Sequence, residues 1–361
     1  MTTTADTTPL WSWTWIVAGA AFLALGIFVE THGLLAAGAA VALIGTVFAA
    51  VYHAEVVAHR IGEPFGTLVL AVAVTVIEVA LIVSVMIAAP AEKAGLARDT
   101  VYAAVMIVCN GIVGLSLLSG GFHHREQGFH LQGASAALAV LAALTTLTLI
   151  IPSVTTSAPG AEFNNTQLIF AGIISLVLYG SFVFVQTIRH RDYFLPLEVG
   201  DDDTHAAPPP GRIAILSMVL LVASLVVVVG LAKTLTPTIE RAITIAGAPK
   251  SVVGIAIAML VLMPEGLAAL RAARANRLQT SLNLALGSAL ASIGLTIPAV
   301  AVVAMMLDLK LQLGLGVKDS ILLALTMVLG IVTLGTGRTT VLQGIVHLVL
   351  FASFVFYAIV P

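Results

Sequence analysis

Long apolar runs recur along the chain, separated by short stretches that carry charge, proline or glycine. Read between those breaks, they predict eleven helices near residues 13–29, 33–52, 65–89, 100–119, 131–151, 166–188, 212–232, 250–270, 281–307, 317–335 and 339–360. Most approach the roughly 20 residues a helix needs to cross the hydrocarbon core of a bilayer. The expected fold is therefore an all-α polytopic membrane protein with about 11 transmembrane helices. Trp11, Trp13 and Trp15 cluster at the mouth of the first run, where amphipathic rings favour the headgroup layer.

One polar stretch, 189–211, is too long and too charged to be a turn. It holds Glu198, Asp201, Asp202, Asp203, His205 and Pro208-Pro209-Pro210, and reads as an acidic, Pro-rich cytoplasmic linker. The chain then divides into an N-terminal helix within 1–32, a five-helix block over 33–188, the linker, and a second five-helix block over 212–361. An odd number of spans per block makes the second enter the membrane from the opposite face. Two inverted five-helix repeats are the expectation.

Composition sharpens the class. Only 9% of residues are charged, against roughly 25% in a soluble domain, and 59% are hydrophobic. A water-soluble fold and a disordered chain are both excluded. The net charge of −2 and the lack of a Lys/Arg block give no sign of a nucleic-acid partner. The single cysteine, Cys109, lies in an apolar run and reads as a packed thiol. With eleven spans, nine of the 16 Lys/Arg fall on the N-terminal side and seven opposite. The positive-inside rule then favours a cytoplasmic N-terminus.

Charge placement carries the chemistry. Nearly all of the 34 Asp, Glu, Lys and Arg residues fall at span ends or in loops, where hydration makes them inexpensive. Glu78 and Glu265 are the exceptions, each somewhat past the middle of the second helix of its block. An acidic residue at a helix centre costs roughly 2.5–3.5 kcal/mol. It must be protonated or paired, and the predicted span interiors offer no Lys or Arg. A proton and a metal cation are the simplest exchangeable partners. Two such carboxylates, with hydroxyls and backbone carbonyls, suit a hard divalent ion or two protons, and competition between those states is the basis of antiport.

The neighbourhood supplies candidates. Thr75 precedes Glu78 by three residues and shares its helix face. Pro64 favours an extended entry to that helix, and Pro264 directly precedes Glu265 as an expected helix break that frees carbonyls. The following helices carry Asn110 with Gly111 and Gly114, and Asn283, Ser288 and Ser292. Small residues at that density also permit close helix packing, so packing and a ligand role both stand for these positions.

The stretches Gly62-Glu63-Pro64-Phe65-Gly66-Thr67 into Val74-Thr75-Val76-Ile77-Glu78-Val79, and Met263-Pro264-Glu265-Gly266 followed by Asn283-Leu284-Ala285-Leu286-Gly287-Ser288, resemble the two alpha-repeats of the calcium/proton antiporter (CAX) family. The closer likeness is to its bacterial ChaA-type branch, within the cation/calcium exchanger superfamily. The resemblance covers most of the chain. It implies alternating-access exchange of cytoplasmic cation for external protons, with the two glutamates as shared ligands. The family pattern Gly-Asn-x-x-Glu is altered here: its Asn is Thr75 in one repeat and Leu262 in the other. The Ser-Ser-x-Gln pattern becomes Ser292-Ile293-Gly294-Leu295. Fewer oxygen ligands make Na+ or K+ exchange a rival to Ca2+.

Other readings carry less. A cation channel is the alternative of another class. An enzyme needs a nucleophile–base pair or a metal motif, and neither is found. No cofactor is expected beyond the transported ions. His347, within the last span, reads as hydrogen-bonded packing, and the seven loop-side histidines as solvated. Asn164-Asn165-Thr166 fits a glycan acceptor pattern that has no meaning in a bacterial inner membrane.

Overall fold

The computed structural model describes residues 8–29, 33–62, 65–88, 94–196, 208–245, 247, 249 and 251–360. Pro64 and the acidic part of the linker, including Glu198, Asp201, Asp202, Asp203 and His205, lie outside them. Among the described residues eleven long helices run as α1 (Leu10–Phe28), α2 (Gly33–Ile61), α3 (Phe65–Ala88), α4 (Leu96–His124), α5 (Leu131–Ser153), α6 (Asn165–Arg189), α7 (Gly211–Ile245), α8 (Ser251–Arg274), α9 (Leu278–Met306), α10 (Val317–Leu334) and α11 (Val341–Ile359). Ten are long and apolar enough to cross a membrane, and α3 contributes the shorter apolar stretch Ala71–Ser84. The chain is a multi-pass membrane protein.

The helices differ from their sequence expectation mainly in length. The apolar run near 33–52 extends to Ile61 and the one near 212–232 to Ile245. At about 1.5 Å per residue these reach roughly 44 and 52 Å, beyond a core of roughly 30 Å. Their polar ends, with Glu55, His59 and Arg60 in α2 and Lys233 and Arg241 in α7, are still helical. Nothing in a charged residue stops a helix; hydropathy marks only where the solvent changes.

The chain forms two compact units. The first holds 1–88 and 201–248, hence α1, α2, α3 and α7; the second holds 89–200 and 249–361. Packing thus joins helices from both sides of the linker rather than dividing there.

In the first unit α2 is central, lying against α1, α3 and α7. Glycines make the close approaches. A Cβ on Gly19 would meet the Thr46 hydroxyl and Val227, and one on Gly45 would fall into the Trp15 ring. Thr46 Oγ1 donates to Ala42 O at 2.7 Å and lies 3.0 Å from Trp15 O on α1. Buried Ile16, Ala49 and Leu220 close the seam of α1, α2 and α7. One turn further along α2, His53 Nδ1 meets Ser217 Oγ of α7 at 3.3 Å.

In the second unit three helices change winding. Residues Ile107–Ile112 of α4, Thr146–Ile150 of α5 and Val185–Arg189 of α6 form π-helical turns. Hydroxyls satisfy themselves locally: Thr145, Thr148 and Ser175 each donate to the carbonyl four residues back at 2.7–2.8 Å. Ile169, Phe170, Ile173, Leu176 and Val177 of α6 face outward, the apolar stripe that lipid solvates.

Loops lock the two ends of this unit. At one end β1 (Glu126–Gly128) pairs antiparallel with β2 (Arg338–Thr340), Gln127 opposite Thr339. Gln127 Nε2 also donates to Ala273 O at 2.9 Å, and His124 Nε2 lies 2.8 Å from Arg274 O. The loops after α4, α8 and α10 therefore share one end, as the span count requires. At the other end Leu315 N donates to Leu149 O and Gln312 N to Ala94 O. Neither short strand has the apolar alternation of a sheet, so nothing in the hydropathy announces this ribbon. Asn164 caps α6, its side chain accepting from Gln167 N at 2.9 Å while Gln167 Oε1 accepts from Asn164 N. The apparent glycan motif is a capping box.

Candidate functional site

Glu78 and Glu265 occupy different compact units. In the first unit Glu78 is 2% exposed on α3, and Thr75 is buried on the same face one turn earlier. Ala73, Val74, Ile77, Leu81 and Ile82 complete that buried stripe. A carboxyl and a hydroxyl are thus held together in an otherwise apolar surface of α3. An unneutralised carboxylate is expensive in such surroundings.

In the second unit Glu265 is half-buried on α8, beside buried Pro264. The expected break at Pro264 does not occur: α8 runs without interruption from Ser251 to Arg274. The proline instead removes one N–H, so the Leu260 carbonyl lacks its helical donor at the turn before Glu265. Gly266 brings α8 against the π turn of α4, where a Cβ would lie 3.1 Å from Ile112 Cδ1.

The tight turn at Ala275–Arg277 makes α8 and α9 antiparallel neighbours, which sets their levels. Glu265 lies nine residues before the end of α8 and Ser288 ten after the start of α9, about 14 and 15 Å from the turn. Ser288 is half-exposed, and Gly287 beside it faces open space. Ser292 is buried one turn further on. Ser288 is the α9 hydroxyl at the level of Glu265.

Two candidates have other partners. Asn283 Nδ2 donates to Phe194 O at 2.6 Å, and its Oδ1 accepts from Gln279 Nε2 at 2.9 Å. Gln279 Oε1 in turn accepts from His130 N. Asn283 clamps the start of α9 to the segment after α6. Asn110 lies in the α4 π turn and turns toward α10 and α11: its Nδ2 donates to Thr326 Oγ1 at 2.9 Å, and its Oδ1 is 3.1 Å from His347 Nδ1. Gly111 and Gly114 admit Phe351, His347 and Leu348 of α11, the packing role open to small residues. Thr326 and Thr333 complete this cluster. Their seven-residue spacing places both on one face of α10, which is all the sequence signals of them.

Among the described residues no group of three His, Cys, Asp or Glu side chains is arranged to hold a resident metal. Cys109 is buried.

Comparison with known proteins defines the class. The model of the sodium/calcium exchanger protein family matches residues 31–188 and 216–360, both helical blocks, and the chain belongs to that family. It is a cation exchanger rather than an enzyme. Among its relatives, the provisionally named ionic transporter y4hA of Sinorhizobium fredii (strain NBRC 101917 / NGR234) is 48% identical, over 98% of this chain and 97% of that protein. The sodium-potassium/proton antiporter ChaA of Escherichia coli (strain K12) is 36% identical, over 88% and 86%. The fold is also that of the Ca2+/H+ antiporter protein YfkE, in its native structure, with TM-score 0.74 at 18% identity over 97% of this chain and all of that one. The H+/Ca2+ exchanger CAX gives 0.70 at 13% identity over 96% and 88%.

Proposed function

We propose that the chain exchanges a cation for protons by alternating access, with Glu78 and Glu265 as the groups that hold cation or proton in turn. The observation that supports this is the placement of one carboxyl in each helical block, in apolar helices, with Thr75 beside Glu78 and Ser288 level with Glu265. A bare carboxylate in such surroundings costs several kcal/mol. The loaded states, protonated or cation-bound, are then those that reorient, and this preference couples the two fluxes. The excess of Lys/Arg on the loops of the N-terminal side supports a cytoplasmic N-terminus in the bacterial plasma membrane.

Two carboxylates balance one Ca2+ or two protons, which makes Ca2+ the leading substrate. Na+ or K+ is the second reading. It is favoured by the E. coli relative, named a sodium-potassium/proton antiporter, and by Thr75 and Leu262 at the two altered motif positions. Purified protein in liposomes with an internal pH dye tests both, with Ca2+, Na+ and K+ applied in turn. Cation-evoked proton movement should vanish in Glu78→Gln and Glu265→Gln. Exchange that survives either substitution overturns the glutamate mechanism, and the cation that evokes proton movement decides the substrate. Currents that need no pH gradient would mark a channel.

A further inference from the structure

A second polar assembly lies within the membrane-spanning helices of the second unit, and the exchange chemistry proposed for the glutamates does not use it. His347 of α11 is 1% exposed. Its Nδ1 is 3.1 Å from Asn110 Oδ1 of α4, and its Nε2 is 3.1 Å from Thr333 Oγ1 of α10. Asn110 Nδ2 donates to Thr326 Oγ1, whose hydroxyl donates to Leu322 O at 2.8 Å.

These bonds have one consistent direction. Thr326 spends its proton on the Leu322 carbonyl, so it accepts from the Asn110 amide. Asn110 Oδ1 can then only accept, which places a proton on His347 Nδ1. With that proton in place, the neutral ring accepts at Nε2 from the Thr333 hydroxyl. Both ring nitrogens are occupied, and the imidazole is a buried connector between three helices.

The connector ends on an unusual piece of backbone. Asn110 belongs to the π turn Ile107–Ile112, a wide turn that needs tertiary support and recurs at functional sites. Ile112, two residues on, is the side chain that packs on Gly266, and Gly266 directly follows Glu265. One turn of α4 therefore joins His347 on one side to the glutamate helix on the other.

We propose that His347 is a positioning residue for cation exchange. Through Asn110 it holds the α4 π turn in the register that sets Ile112 against Gly266, and so fixes where Glu265 presents its carboxyl. The inference rests on the reading of Glu265 as an exchange ligand.

Asparagine and glutamine separate this role from others, because they keep different halves of the imidazole. The Asn amide places its N–H where Nδ1 stood and retains the bond to Asn110. The Gln amide reaches the Nε2 position and keeps only the Thr333 side. Full-length protein is assayed in liposomes with Ca2+ and, in parallel, Na+ as probe cations, each variant first shown to be monodisperse and present in equal amount. His347→Asn should keep the half-saturating cation concentration and the pH profile within threefold of the parent. His347→Gln and Asn110→Leu should raise that concentration tenfold or more while the maximal rate changes less than threefold.

The proposal is overturned if His347→Asn behaves like His347→Gln, if the loss falls on maximal rate with affinity kept, or if His347→Asn shifts the pH profile as loss of a proton carrier would. Cation binding followed by intrinsic tryptophan fluorescence gives the same comparison for any variant too slow to assay. Glu265→Gln in the same series keeps the two readings apart. Exchange that survives it removes the glutamate mechanism, whereas its loss beside a parent-like His347→Gln removes only the positioning role.

Discussion

Gly344 of α11 lies directly on Leu118 of α4: a Cβ there would meet the Leu118 amide nitrogen, with Leu118 Cα at 2.8 Å and Gly114 O at 2.9 Å. The obstacles are backbone atoms, which cannot rotate away. Gly344→Ala should therefore part α4 from α11 and cost on the order of 1–3 kcal/mol by overpacking. A thermal unfolding series in detergent should show a clear drop in Tm. An unchanged Tm would show that the seam yields where the backbone contacts say it does not.

Thr75→Val keeps the shape of the side chain at the Glu78 face and removes its hydroxyl. If that oxygen contributes to cation binding, its loss is worth about 1–1.5 kcal/mol, close to tenfold in half-saturating cation concentration. The maximal proton flux should stay near the parent value. Dye-reported exchange over a cation series measures both, and a parent-like half-saturation would confine Thr75 to packing.

Asn283 is expected to behave as a clamp. Asn283→Leu leaves the Phe194 carbonyl and the Gln279 amide without their partner, and should cost about 1–2 kcal/mol of stability. The half-saturating cation concentration of the folded fraction should not move. A tenfold loss of affinity at unchanged Tm would instead make Asn283 a ligand.

Much of the candidate site is legible in one dimension because a charge in hydrocarbon is so costly. Glu78 and Glu265 stand out without any fold, since an acid in an apolar run needs a reason. Asn110 shows the limit of that logic. Its residue type and position suggest a ligand, yet the amide is engaged by Thr326 and His347, more than 200 residues away in sequence. Pro264 shows another: the pattern reads as a break, while the surrounding helix keeps its course and gives up one hydrogen bond.

The sequence by itself determined the solvent, the eleven helices and the two intramembrane acids, because each follows from the local cost of placing a residue in hydrocarbon. Tertiary structure alone decided which helices share a compact unit, with α7 joining α1, α2 and α3 across the linker. It also decided the π winding of α4, the β1–β2 ribbon and the hydrogen-bonded chain through His347. Those features depend on partners far along the chain, and a hydropathy pattern records only what each residue pays for its own surroundings.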